Sequence, residues 1–139
     1  MSENFEQLAI KLNEAKATTR PVSENAVNTA QQQLGLDFDD AYRTYLLRFG
    51  VIICGSNEIH GLGVPDDYYL SIIFAYNELT QDSSYPLAAV PLLNEGDGHY
   101  YLYDTTAHDI ILWAMPNGGI VRRTEQKLSE FLLEYLFHK

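Results

Sequence analysis

Cysteine is nearly absent from this chain. Cys54 is the single thiol in 139 residues, so no intramolecular disulfide can brace the fold. It lies in the apolar run Val51-Ile52-Ile53-Cys54, where a structural thiol is the expected role rather than a nucleophile. Long hydrophobic runs are missing too. Stretches such as Ile72-Ile73-Phe74-Ala75-Tyr76 fall far short of the roughly 20 apolar residues that span a bilayer. Met1-Ser2-Glu3-Asn4 lacks the positive region and apolar core of a signal peptide. Together these absences predict a cytoplasmic protein that does not engage a membrane. Positive charge is scarce as well: no Lys or Arg occurs between Arg48 and Arg122. The same stretch carries Glu58, Asp66, Asp67, Glu78, Asp82, Glu95, Asp97, Asp104 and Asp109, and the whole chain has a formal net charge of -10. Direct nucleic-acid binding would be opposed over such a surface. Composition alone favours a well-solvated acidic exterior over a surface shaped for a basic partner.

Catalytic and metal-binding patterns are also missing. His60, His99, His108 and His138 show no metal-ligand spacing, and His108-Asp109 beside Asp104 reads as a solvated turn. Gly96-x-Gly98 lacks the Lys-Ser/Thr of a phosphate loop, and Glu95 and Asp97 would repel a phosphate. Ser56, Ser71 and Ser83 lie in no nucleophile-elbow sequence. Asp39-Asp40 is explained as a helix start, and Asp66-Asp67 as an exposed loop. The expectation is a protein without catalysis, cofactor or metal.

What is present is a globular composition, 46% hydrophobic and 12% aromatic, in a chain of one-domain length, residues 1–139. Phe5, Leu8, Ala9 and Leu12 predict a first helix over about Glu3 to Lys16. Thr18-Thr19-Arg20-Pro21 breaks it, and Ser23 is placed to cap a second helix with Val27, Ala30 and Leu34 on its stripe. Gly35 can take the left-handed conformation that closes that helix. Asp39 then caps a third, with Asp40 at the positive end of its dipole and Tyr42, Tyr45, Leu46 and Phe49 on its buried face. Gly50 ends it. Val51 to Cys54, the Gly55-Ser56-Asn57 turn and Ile59 to Leu62 read as a hairpin. Tyr69, Ile72, Ile73, Tyr76 and Leu79 fit a further helix better than a strand.

The second half reads as a meander. Ala88 to Leu93 is one strand, with Pro91 marking an edge or irregular position. His99 to Tyr103, Ile110 to Ala114 and Ile120 to Arg123 follow, separated by turn-forming residues. Alternation puts Tyr100 and Leu102 on one face, Tyr101 and Tyr103 on the other. Thr124 is expected to cap a last helix bearing Leu128, Phe131, Leu132, Tyr135 and Leu136. The fold class is α+β: an antiparallel sheet packed with N- and C-terminal helices.

Leu34-Gly35, Tyr42-x-x-Tyr45-Leu46 and Ile59-His60-Gly61-Leu62, with the looser Gly98-x-Tyr100-x-Leu102 and Ile110-Ile111-Leu112-Trp113, resemble the SUKH superfamily. That superfamily includes fungal cell-wall-assembly regulators and many bacterial toxin-immunity proteins. The match runs from about Val22 to Leu136. It departs in two places, with Phe38-Asp39 where Leu-Pro is usual and Gly50-Val51 where Asn-Gly is usual. The resemblance implies an intracellular immunity protein that binds a cognate toxin, a nuclease among the candidates, and reverses the preference that composition sets. The alternative it implies is a non-enzymatic regulatory scaffold. A basic toxin would meet the stretch without Lys or Arg, with Asp66, Asp67, Glu95, Asp97 and Asp104 as contacts. Tyr68 and Tyr101 are the candidate aromatic anchors.

Overall fold

The computed structural model describes residues 4–138. Helix α1 spans Glu6–Glu14, strand β1 Thr18–Thr19, α2 Glu24–Leu34, α3 Asp40–Arg48, β2 Ile52–Cys54 and β3 Asn57–Ile59. Then come α4 Ile72–Leu79, β4 Ala89–Gly96, β5 His99–Asp104, β6 Asp109–Ala114, β7 Gly119–Thr124 and α5 Leu128–Phe137. The expected start of α1 at Glu3 lies outside the described residues.

The helix boundaries follow local chemistry closely. The Ser23 hydroxyl accepts the Ala26 amide at α2, and Gly35 closes that helix at φ 68°. At α3 the Asp39 carboxylate accepts the Tyr42 amide at 2.9 Å. Its second oxygen accepts the Tyr103 hydroxyl at 2.6 Å and His108 Nδ1 at 2.5 Å. So the residue that replaces a proline both starts the helix and ties it to the β5–β6 turn. Tyr42, Tyr45, Leu46 and Phe49 are all buried, as their spacing predicts.

Several expectations need correction. The strands form two antiparallel sheets rather than one: β1-β2-β3 and β4-β5-β6-β7. Thr18-Thr19, read as a helix break, is also a short strand, pairing with Ile52 and Ile53. The hairpin returns earlier than expected, because Asn57 already pairs with Cys54 and the ladder ends at the Ile52–Ile59 pair. The chain then changes partners: the His60 amide donates to the Leu92 carbonyl at 2.7 Å, and Gly61 to that of Leu70 at 2.9 Å. Thr124 ends β7 instead of capping α5. The N-cap is Lys127, whose amide donates to the Glu130 carboxylate reaching back from the first turn.

The four-stranded sheet is covered on both faces. Phe5, Leu8, Val27, Tyr45 and Phe131 pack with Val90, Leu92, Tyr101, Tyr103, Ile110 and Leu112 in the main core. On the opposite face Leu102, Ile111 and Trp113 meet Leu79, Tyr85 and half-buried Tyr76 and Tyr100. Tyr100/Leu102 and Tyr101/Tyr103 thus divide as alternation requires. Residues 80–88 lid this second face: Trp113 Nε1 donates to Ser84 Oγ at 3.0 Å, and Asp82 accepts the Ser84 and Asn117 amides. Those amides hold the Asp82 carboxyl below its usual range. Pro91 sits on edge strand β4, at a shift of register between Pro91 and Leu93.

Close backbone approach fixes Gly61. A Cβ built there would lie 1.6 Å from the Gly50 carbonyl oxygen, so no larger residue fits without moving the β2–β3 unit. This crossing brings His60 beside β4.

Candidate functional site

Segments distant in sequence converge from three sides on one groove of about 470 Å³. The β3 hairpin arm contributes Glu58, Ile59 and His60; α4 and the turn before it contribute Tyr69, Leu70, Phe74, Ala75, Glu78 and Leu79. The third side comes from Leu93 and Asn94 of β4, Tyr100 of β5, and Met115 and Tyr135. Buried Ile59, Leu70, Ala75, Leu79 and Leu93 make the base apolar, while Tyr69, Phe74 and Met115 stand exposed around it. Among the described residues no Lys or Arg lines this groove. An apolar base with aromatic rims and a few carboxylates is the composition of a recognition surface.

The polar groups are ordered by local bonds. Tyr69 donates its hydroxyl to Glu58 at 2.5 Å, which holds the phenol proton well above its usual pKa. His60 is 5% exposed. Its Nδ1 lies 3.0 Å from the Leu92 carbonyl oxygen, so Nδ1 carries the hydrogen. Its backbone carbonyl accepts the Tyr45 hydroxyl at 3.0 Å. Burial pushes the imidazole pKa down, against the opposing pull of the Leu92 carbonyl and the Glu58 charge. His60 is therefore neutral near pH 7. Burial also raises the phenol of Tyr100, and that of Tyr135, whose hydroxyl donates to Glu95.

None of the seven residues singled out from the sequence lines the groove itself; five are exposed and two are buried. Tyr68 is 39% exposed, and its ring lies 4.6 Å from that of groove-lining Tyr69. Asp66 and Asp67 are exposed in the loop just before it. Exposed Glu95, partner of Tyr135, follows groove-lining Asn94; exposed Asp97 sits in the β4–β5 turn at φ 53°. Tyr101 and Asp104 do not join this surface. Tyr101 is buried beneath α5, 4.9 Å from the Phe131 ring, and its hydroxyl accepts from Arg122. It has no exposed ring to offer as an anchor.

Asp104 is likewise buried, accepting the Thr106 and Ala107 amides at 2.8 and 2.9 Å and pairing with Arg123 at 3.2 Å. Burial pushes its carboxyl up, but the Ala107 and Thr106 amides and the Arg123 guanidinium outweigh that and hold it below the usual range. Its bonds bind the turn, not a partner.

The groove residues Glu58, His60, Tyr69, Phe74 and Tyr100 were not singled out from sequence as a site. One signal was readable. Phe74 falls off the Tyr69/Ile72/Ile73/Tyr76/Leu79 stripe, and a large aromatic off the buried stripe is left with a surface to serve.

Among the described residues no group of three or more His, Cys, Asp or Glu is placed to hold a metal ion, and no helix is long and apolar enough to cross a membrane. No curated protein matches the chain. A crystal structure of a protein from Pseudomonas syringae pv. tomato has the same fold, with TM-score 0.74 at 16% identity, covering 96% of this chain and 99% of that one. The family model SUKH_5, described as SMI1-KNR4 cell-wall, matches residues 1–137. Such proteins are generally non-catalytic immunity or regulatory proteins that act through protein–protein contacts. Fold, motif order and family model agree: this chain belongs to the SUKH family.

Proposed function

We propose that this chain is a bacterial, cytoplasmic immunity protein that binds and neutralises a cognate protein toxin with a basic surface, a nuclease toxin being the first candidate. The observation that carries the reading is the groove, with its aromatic rim, its carboxylates and its lack of any lining Lys or Arg. A nuclease must hold phosphates on cationic side chains, and an acidic, aromatic face is the natural complement to such a surface. Asp66, Asp67, Tyr68, Glu95 and Asp97 belong to this partner-facing surface. Tyr101 and Asp104, both buried, are not part of it. The protein works by occupying its partner and turns over no substrate of its own.

The test is growth protection. Cells expressing the toxin domain encoded beside this gene should survive when the protein is co-expressed and die without it. Charge reversal at Asp66, Asp67, Glu95 and Asp97 together should abolish protection while the variant stays folded. Full protection from the folded four-site variant would move the interface elsewhere. The family's cell-wall description favours a second reading, a regulatory scaffold, and an unrelated gene neighbourhood would select it.

A further inference from the structure

We infer that the groove holds an arginine side chain supplied by the protein partner, its guanidinium donating to His60 and Glu58 between aromatic faces. This rests on the reading of the face as a partner surface and specifies what enters it. The first observation is His60 itself. It is almost fully buried, it lines the groove, and its Nδ1 is committed to the Leu92 carbonyl. Nε2 makes no hydrogen bond to any described residue. In that tautomer Nε2 is an acceptor, since only a lone pair remains on it. His60 lines the groove, and Nε2 is not among the fully enclosed side-chain atoms that lack a partner, so this acceptor opens onto the groove, where an entering donor can reach it.

The second observation is charge. Glu58 and Glu78 line the groove with no cation beside them among the described residues, and the Tyr69 hydroxyl fixes Glu58 in place. The third is shape. The rings of Tyr69, Phe74 and Tyr100 flank the same space, and aromatic faces attract a cation laid against them. An apolar peptide side chain would satisfy the base but strand both acceptors. Lysine would satisfy the charge as a compact, strongly hydrated point. Arginine meets all three demands, because its guanidinium is planar, carries five donors and stacks on aromatic rings.

The experiment is an NMR titration of the uniformly 15N-labelled full chain with N-acetyl-arginine amide. The uncharged citrulline derivative and N-acetyl-lysine amide serve as comparisons. Saturable shifts are expected at the amides of Glu58, His60, Tyr69 and Tyr100 with arginine, and none with citrulline. Glu58→Gln retains an acceptor for Tyr69 and should weaken arginine binding by up to about fivefold, the scale of one partly exposed ion pair. Its own amide spectrum verifies its fold. Absence of saturable groove shifts, equal response to citrulline or lysine, or wild-type affinity in Glu58→Gln would each overturn the inference. Toxin protection with a groove silent to arginine would sink this inference alone. Arginine binding without protection would instead sink the proposed function.

Discussion

Tyr42 and Tyr45 make opposite predictions from the same helix face. Both are fully buried on α3, their rings stacked 5.6 Å apart. The Tyr45 hydroxyl donates to the His60 carbonyl at 3.0 Å, whereas the Tyr42 hydroxyl is buried with no hydrogen-bond partner. Tyr42→Phe removes a desolvated group that makes no bond. An unsatisfied buried polar group costs about 1–3 kcal/mol, and the void left by one oxygen returns up to about 1 kcal/mol of that gain. The variant should be about 1 kcal/mol more stable than wild type.

Tyr45→Phe removes a bond worth about 1 kcal/mol and strands a buried carbonyl, so it should cost about 2 kcal/mol. The pair should therefore differ by about 3 kcal/mol, or roughly 10 °C in Tm at this chain length. Urea unfolding followed by the fluorescence of Trp113, the only tryptophan, reads the difference directly. Unchanged m-values would show that the folded and unfolded states keep their compactness. Equal losses from both variants would mean that the Tyr42 hydroxyl has a partner of its own and that the two positions do not differ in this way.

Three further outcomes follow from the packing. Tyr45→Asp should cost at least ~3 kcal/mol, because it puts an unpaired carboxylate and a cavity in the main core; a wild-type melting curve would mean the face is misplaced. Gly61→Ala should cost several kcal/mol, about 3 or more, because its Cβ meets the Gly50 carbonyl oxygen, and thermal melting would expose a tolerated change at once. His60 should make stability depend on pH. Its folded pKa is depressed, so its contribution is complete above the unfolded value near 6.5 and declines as pH falls toward the folded value. Chemical unfolding between pH 7.5 and 5 should show that decline, and His60→Gln should flatten it.

Local chemistry was legible because a few residues settle it. Ser23, Gly35 and Asp39 each act through a bond or a backbone angle within three or four positions, and all three did what their types predict. The tyrosine stripe of α3 and the alternation of Tyr100 to Tyr103 follow from period alone. The two-residue strand at Thr18-Thr19 carries no such signal, since it exists only through its pairing with Ile52 and Ile53. Helix α5 starts at Lys127, a residue that does not advertise a cap, with Glu130 supplying the acceptor. Tyr101 and Asp104 looked like surface residues because acidity and aromaticity were visible, but the cover from α5 and the Arg123 pairing were not. The groove was hidden for the same reason. His60, Phe74 and Tyr100 share no spacing, and His60 reaches the groove because the segment after β3 bonds to Leu92 of β4 and to Leu70.

The claim that this acidic face captures a basic toxin is tested most directly by stopped-flow association with the purified toxin domain at two ionic strengths. Screening shortens to about 8 Å near physiological salt and to about 3 Å at 1 M, so a steered encounter must slow as salt rises. Association should be fast, with a rate that falls steeply with salt and falls again when Asp66, Asp67, Glu95 and Asp97 are reversed. Failure to associate, or a rate indifferent to both salt and charge reversal, would contradict the claim.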